Sequence, residues 1–348
     1  MVHINTTAAR SCQLDRIGYF VALESLPVGW DDLFSGNSLF NSKKFLAHLE
    51  LTNPVSQRYF YYNSSSGHGT AGTLYLTNLS FRLGPLCLSS PVTVCGIPMI
   101  YGSQAGFAPE ESISRAAEAL NEGGWPGFQW IVGLKYRRGE ITGWSWKRFL
   151  ITVDFHVKWD DFGQYLASMR SDYRKQIVAS LKKQESITFI KHKGDGFTDS
   201  DYKLFIDIHR KANDKSIPLS KEFFKQFPEN HYYVKALWNN SVLGWALLVP
   251  DGDEIYLLYI GYDVSQNKKY DVYINLLLES IRFAIDNKFN CLKMGQTSEL
   301  TKMRLGGMPS ERYFLVRHTN HFINRVIKKT DIFNFRKHYP LLHVFKSQ

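Results

Sequence analysis

Apolar and polar positions follow two rhythms along the chain. Residues 58–63 (RYFYYN) and 73–81 (TLYLTNLSF) are β-branched and aromatic runs, and the stretch 64–69 (SSSGHG) between them reads as a loop, so a hairpin is predicted. Residues 41–51 place Phe45, Leu46 and Leu49 at helical spacing behind Asn41 or Ser42 as N-cap, which predicts a short amphipathic helix. A second helix is expected over 110–121. The GGWPG run at 123–127 then breaks the chain before a strand over 128–134.

A new pattern opens at 144–157 (WSWKRFLITVDFHV), an extended segment that feeds a helix, and the domain boundary is placed there. Phe162, Tyr165, Leu166, Met169, Tyr173, Ile177 and Leu181 recur at three- and four-residue spacing. That spacing predicts one helix from Asp160 or Asp161 to about Lys183, and the acidic pair at its start suits the helix dipole. Beyond Gly194 and Gly196 a shorter helix is expected over 200–212. Strands over 231–238 and 242–250 are joined by the tight turn Asn239-Asn240-Ser241, and a third strand over 254–262 completes an antiparallel meander. A helix over 271–287, with Tyr273, Leu277, Ile281 and Ile285 one turn apart, leads to a last strand over 290–295.

With 348 residues, 44% hydrophobic and 21% charged, the chain is neither disordered nor fibrous and is long enough for two domains. Its 42 Lys and Arg against 32 Asp and Glu give a net charge of +10, and twelve of the cations against four of the anions fall in residues 286–348. Such a segment either attracts phosphate-bearing partners or is a solvated basic tail. Cys12, Cys87, Cys95 and Cys291 form no CxxC pair, which speaks against a zinc ribbon or a redox dithiol and for reduced thiols in the cytoplasm. The opening MVHINTTAARSC has no apolar core, and no run approaches the ~18 residues that span a bilayer. Peripheral contact with an anionic membrane stays open. His318, His321, His338 and His343 lack an HExxH or carboxylate framework, and GGWPG is not followed by GK(S/T), so no metal site and no nucleotide loop are expected.

Four stretches narrow the reading: SMRSDYRKQIVASLKK at 168–183, LYIGYD at 258–263, the helix at 271–287 and MGQTSELTKMRLGG at 294–307. Together with the strand order, they resemble the Fem-like (FemAB-like, CelD-like) branch of the GNAT acyltransferases. SLFNSKKFLAHLE at 38–50 is similar to that branch's N-terminal start. The resemblance spans about residues 20 to 320. It implies an α/β (α+β) fold of two tandem GNAT-like domains with mixed central sheets flanked by helices. These would be a degenerate domain at 1–150, an acyltransferase domain at 151–320, and a basic tail at 321–348 packing back on the first domain. It also implies transfer of an acyl or aminoacyl group to an amine. No cofactor is held permanently; the co-substrate is acyl-CoA, acyl carrier protein or aminoacyl-tRNA.

Lys302 matches the Lys of the family's K-x-(R/K)-x-G pattern, with Arg304 and Gly306 following. The resemblance places it at the donor, where a cation stabilises an oxyanion or holds phosphate; the plainer reading is a solvated lysine in a basic loop. Tyr259 and Asp263 fall where GNAT folds splay two strands, and the Asp263 carboxylate either takes the amine proton or caps the next turn. Gln296 and Thr297 line the site or satisfy turn backbone. Arg304, Lys268 and Lys269, with Arg312 and Arg317, meet donor phosphates by charge. Arg170 and Arg174, one helical turn apart, form an acceptor fork or a solvated pair. One departure matters: residues 266–271 (QNKKYD) carry no glycine where acetyl-CoA binders present backbone amides to the pyrophosphate. That departure counts against conventional CoA binding; the activity the resemblance implies is still N-acyl transfer from a thioester, on CoA or a carrier protein, with aminoacyl-tRNA as second donor. A catalytically idle relative that binds nucleic acid or an anionic surface, through the aromatics of 144–159 and the basic C-terminal segment, is the reading from a different class.

Overall fold

The computed structural model describes residues 16–34, 39–53, 55–64, 69–83, 86–98, 105–109, 112–211, 219–335 and 337–346. Its elements begin with β1 (Ile17–Phe20), α1 (Trp30–Leu33), α2 (Lys43–Thr52), β2 (Gln57–Asn63), β3 (Gly69–Leu83), β4 (Leu86–Cys95) and β5 (Phe107–Ala108). There follow α3 (Ile113–Glu122), β6 (Phe128–Leu134), β7 (Ser145–Arg148), β8 (Thr152–His156), α4 (Phe162–Ser168), α5 (Ser171–Gln184), β9 (Thr188–Lys193), α6 (Asp199–Lys211) and α7 (Lys221–Lys225). The chain continues through β10 (Tyr232–Trp238), β11 (Ser241–Asp251), β12 (Glu254–Tyr262), α8 (Val264–Tyr270), α9 (Val272–Asp286) and β13 (Cys291–Gly295). Last come α10 (Glu299–Arg304), β14 (Met308–Ser310), β15 (Tyr313–His318) and α11 (His321–Lys329).

Contacts divide the chain into two compact units, one of residues up to Phe149 with Arg312–Arg336, the other of Leu150–Glu311 with Lys337–Gln348. The first has the strand order β1-β2-β3-β4-β6-β15-β7, with β5 on β3. The expected hairpin is β2 and β3, Tyr59 facing Thr73; residues 65–68 of its loop lie outside the described residues. Ser42 caps α2 by accepting from the Phe45 N–H at 3.2 Å. The pleat sends Phe60, Leu74, Ile131 and Leu315 to one face, against Ala116 and Leu120 of α3, and Tyr75, Val94, Val132 and Phe314 to the other, against Ile327 of α11.

This division differs from the expected one at 151–320 and 321–348. Tyr313–His318 is a strand of the first unit, Val316 standing opposite Trp130 on one side and Ser145 on the other. Past α11 the chain changes unit, and residues 337–346 pack on the second, with Val344 buried there. The basic tail is thus two pieces.

The second unit has the order β14-β8-β13-β12-β11-β10-β9. Asn239 and Asn240 take the left-handed conformation at φ 47° and 62°, the two-residue turn that suits strand twist. Helix α9 buries Val272, Leu276, Leu277, Ile281 and Ile285 against Val234, Ala246, Leu248, Ile255 and Leu292 of the sheet. Gly244 permits this approach, since a Cβ there would stand 2.9 Å from both Leu276 Cδ1 and Val272 Cγ1. On the opposite sheet face, the buried Lys235 and Asp201 pair at 2.6 Å. Asp201 also accepts from the Thr198 N–H at 2.6 Å, joining α6 to β10.

The single helix expected from 160 to 183 is two. Met169 and Arg170 are extended, each with ψ 149°. The Arg170 N–H donates to Val344 O and the Lys346 N–H to Ser168 O, both at 2.9 Å, while Met169 bridges to Phe345. Residues 344–346 therefore take up backbone groups that would otherwise continue the helix.

Candidate functional site

Strands β12 and β13 of the second unit run parallel but pair only over Glu254–Tyr256 and Cys291–Lys293, although β12 continues to Tyr262. Within β12 a bulge intervenes: Leu247 faces Tyr259 and Leu248 faces Leu257, which leaves Leu258 without an opposite residue on β11. A bulge bends its strand, and β12 parts from β13, which stays on β8 with Gly295 opposite Val153. A gap opens at the C-terminal ends of two parallel strands, the position at which open α/β sheets receive ligands.

The turn that leaves β13 is strained. Gly295, Thr297 and Ser298 have φ of 69°, 65° and 49°, and a β-branched residue in this region is an outlier costing about 1–3 kcal/mol. Its neighbours hold it. The Lys302 ammonium donates to Met294 O and Gln296 O, each at 2.7 Å, and the Gln296 side-chain amide donates to Leu150 O at 3.1 Å. The Tyr273 ring of α9 lies 5.5 Å from that of Tyr262, and Ser298 lies near enough to the Tyr273 hydroxyl to act against the rise that burial causes. Burial pushes the Tyr273 hydroxyl up to about 12.

Lys302 is only 3% exposed, so it is not a solvated loop lysine. Burial brings its pKa down from 10.5 to about 8, with Glu299 opposing. For Glu299, burial works upward, but its own N–H, the Lys337 ammonium at 3.3 Å and the Tyr339 hydroxyl outweigh it and hold the carboxyl below its ordinary value.

Of the residues singled out from sequence, Lys302, Gln296 and Thr297 meet at this turn, with Thr297 exposed and Arg304 exposed at the end of α10. The others belong to other elements. Asp263 caps α8, accepting from the Ser265 N–H at 2.8 Å and the Ser265 hydroxyl at 2.6 Å. The Tyr259 ring packs edge-on with Phe205, Phe223 and Phe224 at 5.5 to 6.0 Å, on the sheet face away from α9. Lys268 and Lys269 are exposed on α8, and the Lys269 ammonium stands over the Tyr270 ring at 4.7 Å and the Trp238 ring at 5.4 Å. Arg170 is the extended N-cap of α5, and Arg174 lies one turn on, its N–H donating to Arg170 O at 3.0 Å. Arg312 and Arg317 belong to the first unit, where Arg317 lies over the Trp144 ring at 5.8 Å and donates to Asn121. The basic excess of 286–348 is thus divided between units.

Residues 264–270, where a glycine loop would cradle pyrophosphate, form helix α8 instead. At the start of α9 the Tyr273 N–H donates to the Asn267 side-chain carbonyl at 2.9 Å, so the chain's own amide occupies that donor. Tyr262, Tyr273 and Ser298 were not evident as site residues; Tyr273 carries only the signal of a helix stripe. Among the described residues no group of three or more His, Cys, Asp or Glu is placed to hold a metal ion, and no helix is long and apolar enough to cross a membrane.

No protein-family model matches the chain, and no curated protein does. Solved structures do. FemX superposes with a TM-score of 0.51 at 13% identity, over 89% of this chain and 100% of FemX. The C-terminal domain (DUF2156) of an Agrobacterium fabrum protein named as a lysylphosphatidylglycerol synthetase gives 0.51 at 10% identity, over 88% of this chain and 95% of the other. A conserved protein of unknown function from Bacteroides thetaiotaomicron gives 0.50 at 8%, over 86% and 99%. At these identities the likeness is one of fold. With the meander, the bulged β12, the crossing helix α9 and the diverging parallel β13, the chain shares with FemX a fold of mixed sheets flanked by helices.

Proposed function

We propose that this chain is an N-acyltransferase that joins an acyl or aminoacyl group to an amine and forms an amide. The observation that carries the reading is the strained turn at Gly295–Ser298, held by a buried ammonium where β12 and β13 part. Acyl transfer asks for little more. The amine must be held neutral against the donor carbonyl, and the tetrahedral oxyanion must meet fixed positive charge. Two of the three Lys302 hydrogens are engaged on carbonyls, so its charge is fixed in orientation and largely withdrawn from water, where it acts at full strength. Beyond Tyr256, β12 turns toward the gap an edge that β13 no longer pairs, and its N–H groups suit a donor carbonyl. With Asp263 engaged as a cap, the amine proton leaves through water.

A thioester is the favoured donor, and one carried on a protein fits better than free CoA because α8 and Asn267 fill the place of a pyrophosphate cradle. Aminoacyl-tRNA is the second reading, supported by the cations Arg170, Arg174, Lys175 and Lys182 along α5. A screen of acyl-CoA, acyl carrier protein and aminoacyl-tRNA donors against an amine panel separates them. Release of a free thiol with amide product supports the first, and product abolished by RNase the second. Amide from neither donor class would overturn both.

A further inference from the structure

In the first unit, Arg137, Lys147, Arg148, Lys328 and Lys329 converge with Asp331 on a cavity of about 410 Å³. Lys147 is committed: it is 6% exposed and donates to Ile327 O at 2.8 Å and Thr330 O at 2.5 Å, closing the carbonyl end of α11 as a cation suits. Arg137, Lys328 and Lys329 are exposed and have no acidic partner among the described residues. The cavity therefore presents several cations against one carboxylate, which matches a phosphate-bearing ligand.

Helix α11, whose last turn supplies Lys328 and Lys329, has a second property. Phe322 is 76% exposed, Ile323 37% and Val326 36%, while Ile327 alone of its apolar residues is buried. Phe322 and Val326 stand one turn apart on one side, and Arg325 and Lys329, each three residues further on, border that stripe. Apolar side chains flanked by cations on an exposed helix are the pattern of a helix lying in a lipid interface. RNA fits less well, since Ile323 and Val326 offer no ring for a base to stack on. We infer that the α11 face of the first unit docks on anionic phospholipid bilayers, with lipid phosphate at the cationic cavity and Phe322, Ile323 and Val326 in the acyl boundary.

Vesicle flotation of the full chain tests this, with phosphatidylcholine alone and with equimolar phosphatidylcholine and phosphatidylglycerol. The wild type is expected to float with the anionic vesicles only and to be released by salt. Phe322→Ser should weaken partitioning roughly tenfold, and neutralising Lys328 or Lys329 roughly fivefold each. All three residues are exposed, so the variants should keep the wild-type melting temperature. Equal binding to neutral vesicles, no binding to anionic ones, or binding unchanged in Phe322→Ser/Val326→Ser and in Lys328→Glu/Lys329→Glu would each overturn the inference. So would displacement by RNA or inorganic phosphate that the Phe322→Ser/Val326→Ser variant shows at undiminished affinity, which would mark a site for free polyanions or phosphate.

Discussion

Replacing Lys302 by Met removes a buried charge while keeping most of the side-chain volume. The fall of the Lys302 pKa from 10.5 to about 8 corresponds to about 3 kcal/mol that the folded chain spends to keep this proton. The sign follows from linkage. Between pH 8 and 10.5 the unfolded chain still holds a proton that the folded chain has released, so this group's contribution to stability rises with pH through that window and is flat on either side. Urea unfolding of wild type and Lys302→Met across the window isolates the group, because other titrations cancel in the difference. That difference should shift in favour of the wild type by about 3 kcal/mol from its lower to its upper end. At neutral pH, Met relieves the buried charge but leaves Met294 O and Gln296 O without their donor, each at a cost of about 1–3 kcal/mol, so the net stability change should be small. Amide formation should fall by ~100-fold or more, as for loss of a transition-state donor. A difference that stays flat between pH 8 and 10.5, or a Met variant with near-normal turnover, would show that Lys302 neither carries a perturbed charge nor serves the chemistry.

Other substitutions probe separate features. Asp263→Ala should cost about 1 kcal/mol of stability by urea unfolding, as a lost N-cap, while Asp263→Asn retains both stability and turnover; a large loss of activity in Asp263→Asn would restore the carboxylate as base. Lys235→Met strands the Asp201 carboxylate, buried at 0% exposure, and should destabilise by about 3–5 kcal/mol, read from the urea midpoint. Gly244→Ala forces a methyl against Leu276 and Val272 and should cost about 1–3 kcal/mol, visible as a lower Tm.

Much of the second unit was legible because its signals are local. The four-residue spacing from Tyr273 to Ile285 marks α9, and the Asn239-Asn240 turn fixes its hairpin. The break at Met169 and Arg170 was hidden, because what stops the helix is Val344 O and the Lys346 N–H, far along the chain, while the apolar spacing runs on uninterrupted. Arg312 and Arg317 follow Lys302 and Arg304 closely in sequence, yet both belong to the first unit, where strand pairing sets Arg317 opposite Gln129. The K-x-R-x-G motif points to Lys302 but says nothing of its burial, since the partners are main-chain carbonyls that no side-chain pattern encodes. Tyr273 shows the converse: periodicity explains its ring so well that its hydroxyl, near Ser298, goes unremarked.

The position of β15 between β6 and β7 bears on how the protein is made. A growing chain produces β6 and β7 by residue 148, yet their shared neighbour appears only at Tyr313–His318, after β8 to β14 have been synthesised. The earlier strands must wait through the whole of that interval with an open edge, and a polypeptide ended at Phe149 would leave β7 without the one strand that pairs it among the described residues. The first unit thus begins to be made before the second but cannot close its sheet until the second unit's strands β8 to β14 have followed it, so folding of each domain in the order of its synthesis does not apply to it as a unit.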